Sequence, residues 1–286
     1  MKNKSFTLIE LLVVIVIIGI LAGVITMTTN TYIEQANLAK AQAFSSNASN
    51  RLWKNLISEW TFDLPAVEGV TEDTGGSNDG TVVGATHIPR SSDECVYGGC
   101  YSFDGVNDYI IGNNVPFGQE ITVSVWAKPS TLSGTKTIVC ENAPFILKLT
   151  NNKFSSPSII YAGGSWASVS GIKSLAINSW DYFIVTYVPG YIKTYINGEL
   201  DTSVVKTGSL AGGGKLFIGG WSSGSALPDR EFFKGLIDDF HVYDKALSLS
   251  QIKQQYVAGL DSLLSNGNIS KEEYNERLNS LAFEGS

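Results

Sequence analysis

Residues 6–25 form an apolar run whose only polar side chains are Thr7 and Glu10. About 20 such residues cross the hydrocarbon core of a bilayer as a helix. A carboxylate inside that core is costly unless something pairs with it. Lys2 and Lys4 precede the run and the next basic residue is Lys40. The positive-inside rule therefore places the N-terminus in the cytoplasm and the rest of the chain outside. A secretory signal peptide fits poorly, because the run exceeds a usual h-region and Ala22-Gly23-Val24 is an indifferent cleavage site. A plain anchor accounts for the hydrophobicity and leaves Glu10 unexplained.

The stretch Lys4-Ser5-Phe6-Thr7-Leu8-Ile9-Glu10-Leu11-Leu12-Val13-Val14 resembles the processing motif of type IV pilins and pseudopilins. The resemblance implies that residues 1–5 are a leader, and that a prepilin peptidase cuts between Ser5 and Phe6 and methylates the new amine of Phe6. Ser5 stands where that family usually has Gly. The freed amine is a cation in an apolar setting, and Glu10 on a neighbouring subunit would pair with it during assembly. Residues 6 and 10 share one helix face, so Glu10 is expected to set assembly register. The implied partners are the peptidase, other pilin or pseudopilin subunits, and the inner membrane before assembly. Thr31 to Glu59 contains neither Pro nor Gly, which predicts one helix over 6–59, roughly 80 Å long at 1.5 Å per residue. Its outer half would pack on the globular part.

From Trp60 onward the texture changes to short alternating apolar runs separated by Gly, Asn and Asp turns. This predicts an antiparallel β-sandwich over 60–247, with a hairpin signal at Asn197-Gly198. Residues 248–286 predict short helices, the first capped by Ser248 or Ser250 and the second opening at Ser270. They read as either a small oligomerisation or docking appendage or a solvated tail. The expected fold is thus α+β: a long N-terminal transmembrane helix, a jelly-roll sandwich and short C-terminal helices.

The sandwich carries a second resemblance, on Cys100-Tyr101-Ser102-Phe103-Asp104-Gly105, Ile121-Thr122-Val123-Ser124-Val125-Trp126, Trp180-Asp181-Tyr182-Phe183 and Gly235-Leu236-Ile237-Asp238-Asp239-Phe240. In this order these are similar to laminin-G-like, concanavalin-A-like domains. That family often holds a structural Ca²⁺, which implies Asp73, Asn78, Asp104 and Asp239 as ligands; the alternative is that these residues cap turns. Cys95 and Cys100 are close enough to bridge, and an external domain permits a disulfide; a metal half-site lacks its second half. Cys140 reads as a buried small hydrophobe.

The net charge of −7 argues against a nucleic-acid binder, and His87 and His241, the only histidines, exclude a multi-His metal centre. No strand offers the alternating carboxylates of a glycosidase, and nucleophile, zinc and phosphate-loop motifs are lacking, so no catalytic residue is assigned. Trp221 and Trp166 are the candidate platforms for a surface glycan or protein ligand, with hydrophobic cover as the alternative. The chain is read as a filament-forming pilin-like subunit displaying a binding domain on the cell surface. The rivals are a structural pseudopilin of a secretion or DNA-uptake machine and a membrane-tethered lectin that never polymerises.

Overall fold

The computed structural model describes residues 8–9, 11–19, 53–141, 143–222, 228 and 230–281. The chain divides into two units, Met1–Ser46 and Asn47–Ser286. In the first, residues 8–9 and 11–19 are helical; Ser5, Phe6, Glu10 and most of the expected helix lie outside the described residues. No helix among the described residues is long and apolar enough to cross a membrane.

The second unit is a two-sheet sandwich. One sheet orders β15 (Glu199–Lys206), β14 (Gly190–Ile196), β13 (Asp181–Val188), β7 (Ile121–Pro129), β17 (Lys234–Tyr243), β5 (Cys100–Asp104) and β4 (Thr86–Ile88), with β1 (Leu56–Trp60) also paired to β17. The other orders β12 (Ser165–Val169), β11 (Ser156–Ala162), β9 (Phe145–Thr150), β8 (Thr135–Glu141), β16 (Leu216–Ile218), β6 (Tyr109–Gly112), β3 (Gly80–Val83) and β2 (Val70–Thr71), with β10 (Lys153–Phe154) beside β9. The described pairings are antiparallel, as the alternation predicts. At the β14–β15 hairpin Asn197 and Gly198 take φ of 55° and 77°, the positive values this tight turn requires.

The expected helix over 6–59 fails at its C-terminal end. Leu56–Trp60 is a strand whose Trp60 pairs with Phe240 and is fully buried. Freedom from Pro and Gly permits a helix, but here ladder pairing with β17 and the burial of Trp60 decide the local structure. The core between the sheets is built from inward residues such as Trp60, Phe103, Ile110, Val123, Val125, Leu147, Phe183, Ile218 and Phe240.

The strand β7 is buried on both faces, because the C-terminal helices cover its outer side. Helix α2 (Leu249–Ser265) starts at the Ser248–Gln251 capping box, and α3 (Lys271–Ser280) is capped by Ser270. Trp126 on β7 stacks between Tyr182, with ring centroids 5.0 Å apart, and Tyr256 of α2, at 5.7 Å. Leu260, Leu263, Tyr274 and Leu278 are also buried, and Arg277 donates to the Trp180 carbonyl. The C-terminal segment is therefore not a solvated tail but docks on the sandwich of its own chain. (α1 is the helical segment within residues 8–19.)

Gly259 explains how closely α2 approaches the sheet. A Cβ there would lie 2.2 Å from the Trp126 ring. Gly259→Ala is expected to destabilise by about 1–3 kcal/mol through overpacking, although Ala is the better helix former. Urea unfolding of the variant checks this.

Candidate functional site

Strand alternation places the two predicted tryptophans on one surface. In β9, Phe145, Leu147 and Leu149 enter the core, so Ile146 and Lys148 face outward. Register then lines up Ile111, Phe217, Cys140 and Ile146 across four strands. Cys140, Ile146 and Phe217 form a small buried cluster, and Trp166 and Trp221 pack partly exposed against it. Trp166 meets Tyr161 edge to face at 5.3 Å. Cys140 is free and buried, with its thiol directed to the Gly220 carbonyl, as a small hydrophobe should be.

Polar groups adjoin this apolar patch. Lys148 Nζ lies 3.8 Å from the centroid of the Trp221 ring, and the Arg230 guanidinium 5.3 Å. Lys148 is also ion-paired with Glu231, whose Oε2 accepts a bond from Thr137 Oγ1 at 3.1 Å. These contacts fix the face of Trp221. Beside Glu231 opens a cavity of ≈ 370 Å³, lined by hydroxyls of Thr135, Thr150, Ser155, Ser168 and Ser170. Hydroxyl donors and acceptors, one carboxylate and nearby aromatic rings are the groups that hydrogen-bond and stack on a sugar.

The four expected calcium ligands are not brought together. Asp73 Oδ1 accepts from the Glu59 and Gly75 N–H groups, and Oδ2 from Ser58 Oγ and the Asn78 N–H. Four donors converge on that carboxylate where a cation would have to sit. Asn78 Oδ1 accepts from the Asn113 N–H. Asp104 caps its own turn through the Val106 and Asn107 N–H groups. Asp239 belongs to a different cavity. Among the described residues no group of three or more His, Cys, Asp and Glu is arranged to hold a metal ion. The donor set does not fit Ca²⁺, and the turn-capping alternative accounts for Asp73 and Asp104.

Asp239 instead lies in a bulge of β17. Asp238 pairs with Trp126 and His241 with Ser124, so one partner position opposes two residues, and Asp239 takes φ of 51°. Simple alternation would send Asp238 and Asp239 to opposite faces; the bulge cancels it. Asp238 Oδ2 accepts from the Val96 and Tyr97 N–H groups, and Asp239 and His241 line a cavity of ≈ 320 Å³ with Glu59 and Asp63. Tyr97, Tyr182, Tyr243 and Gln255 complete its walls.

His241 Nε2 lies 3.1 Å from Glu59 Oε1 and 3.6 Å from Asp239 Oδ1. Burial opposes the charge on His241, but Asp239 and Glu59 outweigh it and raise the imidazole above its ordinary value. Burial likewise opposes ionisation of Glu59, yet the bond and charge of His241 hold its carboxyl below the usual range. Burial pushes Asp239 up to about 6 against the pull of His241. The expected disulfide is present, Cys95 to Cys100 with Cα atoms 5.6 Å apart. It closes the loop that supplies Tyr97 and the two N–H groups bound by Asp238. The sequence reading missed Glu59 and His241 as neighbours, since they are 182 positions apart. The only local signal was Asp238-Asp239 with His241 two residues on.

Comparison with known proteins matches two separate stretches of the chain. The model of the concanavalin A-like lectin/glucanases superfamily matches residues 104–253, and that of the prokaryotic N-terminal methylation motif matches residues 1–26. A fimbrial protein of Moraxella nonliquefaciens is 32% identical over 118 residues, 40% of this chain and 75% of the relative. Among solved structures, the botulinum neurotoxin serotype D ligand binding domain in complex with N-acetylneuraminic acid is similar at TM-score 0.56 and 20% identity, covering 74% of this chain and 53% of that one. This chain thus spans about half the length of that domain. Domain 4 of AbnA, an extracellular arabinanase from Geobacillus stearothermophilus in complex with arabinotriose, is similar at TM-score 0.55 and 20% identity, covering 71% of this chain and 98% of that one. At these identities the structural likeness is one of fold.

Proposed function

We propose that this chain, which belongs to the concanavalin A-like lectin/glucanases superfamily and to the family of the fimbrial protein, is a subunit of a type IV pilus-like surface filament that displays its sandwich to bind glycans. The observation that carries this reading is the type IV pilin methylation motif at residues 1–26 in the same chain as the sandwich. The motif and the fimbrial relative support processing by a prepilin peptidase and assembly with other pilin subunits. The apolar run supports residence in the inner membrane before assembly, with Glu10 setting the register afterwards.

For glycan binding the support lies on the outer face of the nine-stranded sheet. Trp166 and Trp221 flank it, and the hydroxyl-lined cavity beside Glu231 opens there. A solved domain of similar fold holds N-acetylneuraminic acid and another holds arabinotriose. We assign the chain a binding role and no reaction.

Sheared surface filaments, probed for this chain and applied to a glycan array, test both parts. The chain should co-purify with the filaments and retain a glycan. Trp221→Ala should weaken that retention about tenfold, the size of one lost aromatic contact, without changing filament yield. Absence of the chain from filaments would sink the filament reading. Undiminished binding by Trp221→Ala would sink the glycan site.

A further inference from the structure

We propose that the cavity walled by β1, β17 and α2 binds an organic cation, an alkylammonium or guanidinium group. This site is separate from the glycan surface and does not depend on it.

Charge is the first argument. Glu59, Asp63 and Asp239 line the cavity with His241 as their one basic neighbour, and no lysine or arginine is among the described lining residues. Three carboxylates facing one imidazolium leave an uncompensated negative site, and a low-dielectric wall strengthens its attraction for a cation. His241 is the second argument. It is 8% exposed, its Nε2 is committed to Glu59, and its Nδ1 has no hydrogen-bond partner among the described residues. As an imidazolium the ring donates through Nδ1–H, so a water carried in with the cation, and not the cation itself, would accept that bond and relieve the cost of leaving it unmade.

The walls select the kind of cation. Tyr182 donates its hydroxyl to Gln255 Oε1 at 2.7 Å, and Gln255 Nε2 donates to the Tyr243 hydroxyl. Two aromatic rings are thereby held in place, with Tyr97 as a third on the loop closed by the disulfide. Aromatic rings attract ammonium and guanidinium ions, while nearby carboxylates form charge-assisted hydrogen bonds with them. The ligand set does not suit a bare metal ion. The volume of ≈ 320 Å³ lies at the lower end for small-ligand sites and admits a short alkyl amine. The bulge that holds Asp239 at φ of 51° is what brings its carboxylate to this wall.

Isothermal titration calorimetry on the full-length chain tests the assignment. The probes are n-butylammonium chloride, its neutral counterpart n-butanol, and the peptide acetyl-Gly-Lys-Gly-amide, all at one ionic strength. Saturable heat is expected for butylammonium and not for butanol. Asp239→Asn should weaken binding at least tenfold and keep the fold, because Asn tolerates positive φ. Asp63→Asn, at an exposed position, should weaken it in the same direction. If the peptide binds more tightly than butylammonium, the source is a lysine side chain of a protein partner; if less tightly, it is a free amine. Absence of saturable binding, equal binding of butanol, or unchanged binding by both variants would overturn the proposal.

Discussion

Glu141→Gln is expected to raise the stability of the sandwich at pH 8 by on the order of 2 kcal/mol. Glu141 ends β8 and is fully buried. Burial pushes its pKa up to about 9, and the backbone at Gly214 and Val115 only partly offsets this. The group is therefore neutral in the folded chain at pH 7, whereas an unfolded chain releases the proton near 4.5. A carboxyl raised in this way contributes stability that is fully present below the unfolded value and is lost as pH rises through the folded one. Gln supplies the neutral form at every pH. The advantage of the variant should be small at pH 4.5 and grow up to about pH 9. Thermal unfolding should show a rise of roughly 4–8 °C at pH 8. A variant less stable than the parent at pH 8 would mean that the carboxyl has a stabilising partner.

Trp126→Ala is expected to cost about 3–5 kcal/mol, the range for deleting a large buried aromatic ring. Its ring fills the space between the eight-stranded sheet and α2, stacked on both sides by tyrosines and closed off by Gly259. Removing it opens a cavity under the helix and loosens Gln255, which holds the Tyr182 and Tyr243 hydroxyls. Urea unfolding should show the lost stability. Hydrogen exchange should show α2 opening before the strands. If exchange in α2 matches the parent, the helix is docked by other contacts and the three-ring stack is not what holds it.

Legibility in the sequence followed the range of the interactions. The strands announced themselves through two-residue alternation and turn residues, as at Asn197-Gly198, and the Ser248 cap through its local pattern with Gln251. These signals span a few residues. The start of β1 was not legible, because Leu56–Trp60 is a strand only by virtue of β17, far along the chain. Nor was the docking of the C-terminal helices, which depends on Trp126 and Tyr182 from other strands. Trp166 and Trp221 were legible as candidates by their Gly-rich surroundings, while the hydroxyl cavity beside them comes from four separate segments. The calcium expectation rested on a resemblance, and a carboxylate that caps a loop and one that binds an ion have the same sequence. Only the four donors around Asp73 distinguish them. Asp239 was named from a resemblance alone; its place beside His241 depends on a bulge in β17 that no local pattern announces.

Mass spectrometry of the N-terminal peptide of the chain isolated from its native cell tests the central claim most directly. Processing as a pilin predicts a mature chain that begins at N-methylated Phe6, with residues 1–5 removed. A chain that retains Met1, or that begins at any residue beyond Phe6, would contradict it.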